Sequence, residues 1–211
     1  MVGSAIPPHI LKQLERIEPG ARFSGNLPQV TSSSGKTYFA KAGSPREREQ
    51  YVGEAESLRA MALAAPGLVP SLLAFGFVDE KGEEITDREG EGSPFFISEY
   101  KHLTALTERS GETLGRRLAT EMHGRAASPN DGRYGFEVPT FCGATRLRNG
   151  WYETWERCFD VLVGDLLSTL EARGGYSDLC EKGQEVRQRQ VLVLYYIGRA
   201  CLRRTQLILR C

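Results

Sequence analysis

Residues 37–58 read TYFAKAGSPREREQYVGEAESL, and this stretch decides the fold. It begins with alternation: in Thr37–Lys41, Phe39 and Lys41 fall on one face of a strand, Tyr38 and Ala40 on the other. A helix start follows. Ser44 stands as N-cap, Pro45 takes the first helical position, and Glu47 completes a capping box. Tyr51, Ala55, Leu58 and Ala62 then recur at helical spacing, until Pro66-Gly67 ends the helix. The stretch is therefore a strand that delivers Lys41 and a helix that carries Glu54. Glu54 precedes Leu58 by one helical turn, so it lies toward the packed face, and a carboxylate there needs a partner.

Upstream, Pro8–Glu15 forms a short helix, and ARFSGNLPQVTSSSGK (21–36) reads as strands broken by turns. Ser33–Lys36 is the hairpin turn between Val30 and Tyr38. Downstream, Leu72–Val78 and FFISEY (95–100) are strands. The polar, Gly-rich DEKGEEITDREGEGS (79–93) between them is an exposed loop. Beyond residue 100 the pattern turns helical. Ser110 caps a helix through His123 with Leu114, Leu118 and Met122 on one stripe. Residues 126–150 are turn-rich, with little regular structure expected. Trp151–Ala172 is an amphipathic helix striped by Trp151, Trp155, Phe159, Leu162, Leu166 and Leu170. The order of elements predicts an α+β protein. Its sheet lobe occupies residues 1–100, its partial helical lobe residues 101–187, and an atypical basic tail residues 188–211.

Composition narrows the class. At 211 residues and 23.4 kDa, the chain suits one large domain or two small lobes. Apolar residues make up 40% and charged residues 26%, which excludes a disordered or collagen-like chain. Lys+Arg and Asp+Glu balance at 27 each, so no electrostatic field invites nucleic acid or a membrane surface. The longest apolar run, Val191–Ile197, is too short to cross a bilayer. The N-terminus does not read as a signal peptide. The 5 Cys are widely spaced with no CxxC, which argues against a disulfide framework or zinc site and for the reducing cytoplasm. From Val186 to Cys211 the chain has Arg but no Asp or Glu. That tail is either an ordinary basic helix or a non-native ending. Nothing in the sequence specifies an oligomer.

Chemistry concentrates on the opening stretch. A strand lysine facing a helix glutamate is the pair with which kinases hold the α- and β-phosphates of ATP. The ammonium is a point charge for phosphate oxygens, and the carboxylate fixes it. Spacing alone leaves open an exposed Lys41 and a solvated Glu54. FFISEY, which ends in Glu99-Tyr100, reads either as an edge strand or as a hinge whose backbone pairs with adenine. His123 reads either as a catalytic base or metal ligand or, more simply, as a helix-terminal histidine favoured by the macrodipole. His9 and His102 have no partner motif. Thr31–Ser34 is a weak phosphate-loop signal without GxGxxG or GxxxxGK[ST]. Cys142, in TFCGAT, is the cysteine placed to lie near a cleft.

Six strings, in order, carry a resemblance: YFAK (38–41), GEAESL (53–58), FFISEY (95–100), LGRRLATEMH (114–123), YGFEVPTFCG (134–143) and NGWYETW (149–155). Over Ile6 to Arg187 the chain resembles the fructosamine/ketosamine-3-kinase family, the protein-ribulosamine 3-kinases, and its fungal members most closely. The resemblance implies a protein-kinase-like fold related to aminoglycoside phosphotransferases. It implies ATP and Mg²⁺ as cofactors and a ketosamine, free or on a glycated protein lysine, as phosphoryl acceptor. The activity it implies is deglycation. It makes Lys41 the phosphate-binding lysine and Glu54 its partner, with Glu99 and Tyr100 at the adenine hinge.

The chain also departs from that family. The family's catalytic loop has His-Gly-Asp followed by Asn, and a later Asp binds Mg²⁺. Those groups orient the hydroxyl and neutralise developing charge. Here no His follows His123 and no Asp follows Asp178. The expectation is a C-terminally truncated or altered kinase without catalytic residues or Mg²⁺ ligands. The alternative is a non-catalytic, pseudokinase-type binding or regulatory module.

Overall fold

Two sheet faces need two separate covers, and the chain brings a helix to each. The computed structural model describes residues 6–86, 92–122 and 132–189. They fall into two compact units, Met1–Ala127 and Ser128–Cys211. The first unit runs α1 (Pro8–Ile17), β1 (Phe23–Asn26), β2 (Gln29–Ser32), β3 (Thr37–Ala42), α2 (Arg48–Ala64), β4 (Leu72–Val78), β5 (Glu84–Ile85), β6 (Ser93–Glu99) and α3 (Glu108–Arg117). Its strands form one antiparallel sheet of 6, in the order β1-β2-β3-β6-β4-β5.

The alternation read in β3 is the one observed. Tyr38 and Ala40 join Val30, Val78, Phe95 and Ile97 in a core under Ile10 and Leu14 of α1. On the other face, Phe39 packs with Phe96, Leu72 and Phe75 under Tyr51, Ala55 and Leu58 of α2. β6 runs between β3 and β4, and Phe96 and Ile97 are both essentially inaccessible to solvent. Burying each such side chain contributes about 1.5–3 kcal/mol.

Polar contacts seat α1. Lys12 pairs with Glu83 at 3.0 Å, while Arg16 and Gln13 both donate to Glu84. Tyr38 donates from its hydroxyl to Glu18 at 2.6 Å. Burial and that carboxylate push the Tyr38 phenol up to about 12.

Several expected boundaries shift. The helix expected from Pro45 starts as a 3₁₀ turn over Pro45–Glu47, with Glu47 accepting from the Ser44 backbone at 2.8 Å and the Ser44 hydroxyl at 2.9 Å. Ser110 does not cap α3. Thr107 does, accepting from Ser110 N at 3.2 Å while Ser110 Oγ accepts from Thr107 N at 2.8 Å. Ser110 thus takes the position usually held by the Glu of a capping box. The helix then continues as a π-helical turn over Leu118–Met122, and His123 lies outside the described residues. Glu84–Ile85 of the expected loop pairs with β4, and residues 87–91 also lie outside.

The second unit departs furthest. Residues 126–150 hold regular structure among those described: β7 (Tyr134–Gly135), β8 (Thr140–Cys142) and β9 (Thr145–Leu147), followed by β10 (Trp151–Tyr152). β8 pairs with β9, and β7 with β10. The expected helix therefore begins at Trp155 and ends at Arg173 (α4), with Thr154 Oγ1 accepting from Arg157 N at 3.3 Å. Trp151 belongs to a strand although its spacing to Trp155 is helical. The buried side chains of α4 are Cys158, Asp165 and Leu167, whereas the predicted stripe is only partly covered. A further helix covers residues 177–189, where Gly183 lets the backbone meet Leu167: a Cβ there would lie 2.4 Å from Leu167 Cδ2. The tail beyond residue 189 lies outside the described residues.

His9 makes α1 sensitive to acid. Its ring lies 6.1 Å from that of Phe95, and its Nε2 is buried without a hydrogen-bond partner. Burial lowers its pKa below 6.5. The unfolded chain then takes up a proton that the folded chain refuses. Stability is complete above the unfolded value and declines as pH falls from there toward the lower folded value. Urea unfolding between about pH 7.5 and 5.5 is expected to show a falling midpoint that flattens in His9→Phe. An equal slope in both proteins contradicts this.

Candidate functional site

Register places Lys41 opposite Phe96 in the β3–β6 ladder and on the α2 face. Glu54 is one helical turn after Tyr51 on α2, so both side chains meet that strand position. Lys41 Nζ donates to Glu54 Oε2 in a close ion pair. The side chains are 24% and 38% exposed, so the pair is half-buried and open to a third group. Two rings border the ammonium: its Nζ is 4.3 Å from the centroid of Tyr51 and 5.2 Å from that of Phe96. Burial, then the charges of Glu47 and Glu54, push the Tyr51 phenol up to about 12. The Ser44 backbone and hydroxyl hold Glu47 below the usual carboxylate range, with a smaller contribution from Lys41. The result is an ammonium fixed on two sides by a carboxylate and aromatic faces.

Glu99 and Tyr100 stand where β6 leaves the sheet. Glu99 lies opposite Tyr38, three residues along from the Lys41–Phe96 pair, or about 10 Å at strand rise. Glu99 is closely engaged: its N–H donates to Ser71 O at 2.9 Å, and its carboxylate accepts from Lys101 Nζ at 2.6 Å. Lys101 and, after it, Ser71 hold that carboxyl below its ordinary range. The Tyr100 ring stands edge-on to His102 at 4.9 Å. The structure thus brings Lys41 and Glu54 together and sets Glu99 and Tyr100 at the end of the neighbouring strand.

Sequence reasoning treated Tyr51 as packing only. Its spacing to Glu54 and the glycine just past the Lys41 strand were the available signals. It also missed a polar anchor in the second unit. Asp165 is buried and accepts from Arg148 N at 2.9 Å and Arg148 Nε at 2.8 Å. Next to it, Asn149 Nδ2 donates to Val138 O at 2.8 Å and Thr140 Oγ1 at 2.9 Å. These bonds tie the β8–β9 hairpin and the 136–140 loop to α4. Cys142, on β8, is an exposed free thiol. A cavity of about 420 Å³ between Leu68 and α3, bordered by Thr107, Leu114 and Arg117, does not include Lys41 or Glu54. Among the described residues, no three His, Cys, Asp or Glu side chains group closely enough to hold a metal ion.

A sheet of 6 antiparallel strands, with a central lysine paired to a helix glutamate, defines the small lobe of a kinase-like fold. The sequence profile described as fructosamine kinase matches residues 16–193. The chain belongs to the fructosamine kinase family. Among solved structures it is similar to a crystal structure of a protein assigned as a fructosamine-3-kinase, from Haemophilus somnus 129PT, at a TM-score of 0.55 and 17% identity. That match covers 83% of this chain and 58% of the other, and it shows the fold. No curated protein matches the chain.

The two anchors differ in burial, and removing one partner of each is expected to differ in cost. Glu54→Ala lowers stability by about 0.5–1 kcal/mol, because both partners keep contact with water. Arg148→Ala is expected to cost more, because the Asp165 side chain, 5% exposed, loses its guanidinium partner even though Arg148 itself is 74% exposed. Urea unfolding of each variant measures both values. An Arg148→Ala cost below that of Glu54→Ala overturns the ranking.

Proposed function

We propose that this chain binds ATP, with Lys41 on the α- and β-phosphates, Glu54 as the anchor of Lys41, and the adenine against the Glu99–Tyr100 hinge. The observation that supports it is the Lys41–Glu54 pair in a member of the fructosamine kinase family. The residues fit a polyphosphate: the ammonium has one carboxylate partner and an open side. When bound, ATP supplies the phosphoryl group. The protein's part is to hold the phosphates in register and keep the purine at the end of β6.

The acceptor class in this reading is a ketosamine, ribulosamine or fructosamine, on a small molecule or a glycated protein lysine. The role is deglycation. In this reading residues 1–100 form the nucleotide-binding lobe, 101–187 part of the helical lobe, and 188–211 a basic tail. Free Cys142, Cys158 and Cys180 suit the reducing cytoplasm. Among the described residues, no helix is long and apolar enough to cross a membrane.

Mg²⁺ fits the described residues poorly. Glu54 is engaged by Lys41, and Glu47 by Ser44. The string His-Gly-Asp does not occur in the 211 residues. We infer that the chain as it stands holds nucleotide without transferring phosphate.

Thermal shift tests binding. A ligand at 100 times its dissociation constant stabilises by about 2.7 kcal/mol, or roughly 5–10 °C for a chain of this size. ATP is expected to produce that shift in the unmodified chain and none in Lys41→Met, which keeps most of the apolar stem. No shift in either protein contradicts the assignment. Phosphate transfer from ATP to a ribulosyl-lysine peptide is expected to be absent, and Mg²⁺-dependent turnover would refute the inference of a silent chain.

A further inference from the structure

Tyr51 is placed by more than core packing. It is 6% exposed, and its ring centroid is 4.3 Å from Lys41 Nζ. The backbone leaves room for that ring. β3 ends at Ala42, and Gly43 follows with its N–H donating to Pro94 O at 2.9 Å. A Cβ on Gly43 would lie 2.7 Å from Tyr51 Cε2 and 2.8 Å from Tyr51 Cζ. Those separations are shorter than side chains tolerate, so only glycine lets the ring occupy this place. The glycine and the ring thus form a matched pair, two residues past the lysine on one side and one helical turn before the glutamate on the other.

We infer that Tyr51, seated against Gly43, is a positioning residue that holds the Lys41 ammonium on the phosphate-facing side of the sheet without adding a negative charge there. This rests on the nucleotide reading above. The physical reason is a conflict between the groups that can hold an ammonium. A second carboxylate would fix Lys41 but would repel a polyphosphate. An aromatic face attracts the cation through its quadrupole and adds no further charge against the phosphate. Burial, and after it the charges of Glu47 and Glu54, push the phenol up to about 12, so the ring stays neutral at physiological pH. Phe96 borders the same ammonium at 5.2 Å from within the sheet, so Tyr51 and Phe96 limit its swing while Glu54 sets its direction.

The test is isothermal titration of the full chain with ATP and, separately, with adenosine, which lacks the phosphates. Tyr51→Phe keeps the aromatic face and is expected to bind ATP within about twofold of the unmodified chain. Tyr51→Leu is expected to weaken ATP roughly tenfold and leave adenosine unchanged. Gly43→Ala, which leaves Tyr51 chemically intact but displaces its ring, is expected to do the same. If Tyr51→Leu does not fold, Tyr51→Met fills the space without a π face and is read in its place. Equal ATP affinity in the unmodified and Leu (or Met) chains overturns the role of Tyr51 while the nucleotide site stands. A parallel loss of ATP and adenosine also overturns it, because the effect is then general packing. If the unmodified chain binds neither ligand, the nucleotide reading itself fails, and the role of Tyr51 falls with it.

Discussion

A half-buried ammonium must be held against water, and the first unit of this chain is arranged around that constraint. Lys41 sits on a strand whose register with β6 is fixed by Phe96 and Ile97. Glu54 reaches it because α2 is pressed on the sheet through Tyr51, Ala55 and Leu58. An ion pair this exposed contributes little to folding by itself. The dependence runs the other way: packing of the two layers sets the pair, and the pair directs one cation. The layer formed by α1 supports this from behind, because Ile10 and Leu14 close the face that Tyr38 and Ala40 present.

Local signals were legible where one interaction dominates. The β3 alternation, the turn at Ser33–Lys36 and the Ser44–Glu47 capping box are each set by residues close in sequence, and each is found in the structure. Lys41 and Glu54 were readable because strand and helix periodicities fix which faces they occupy. The Glu99–Tyr100 segment was readable as a strand end. That Ser71 and Lys101 engage Glu99 depends on a partner strand whose register no local pattern contains.

The misses share a cause. Trp151 and Trp155 have helical spacing, but pairing of Trp151 with Gly135 and the cap at Thr154 outweigh it. Ser110 is a good N-cap residue, yet Thr107 reaches the same backbone earlier and turns Ser110 into its reciprocal partner. Of the short strands of residues 134–147, β8 and β9 pair across a tight turn while β7 pairs with the distant β10, and apolar periodicity registers neither. Nothing in the helical periodicity marks Asp165; its buried carboxylate is satisfied by Arg148, seventeen residues away. Hydrogen-bonded pairing, which apolar periodicity does not encode, decides each of these places.

The claim that Lys41 grips nucleotide phosphates is tested most directly by covalent labelling with an acyl-phosphate derivative of ATP, followed by peptide mass spectrometry. The account predicts that Lys41 is acylated ahead of Lys12, Lys36, Lys81, Lys101 and Lys182, and that excess ATP protects it while adenosine protects it far less. Labelling spread over the surface lysines, or labelling of Lys41 that ATP does not suppress, would contradict it.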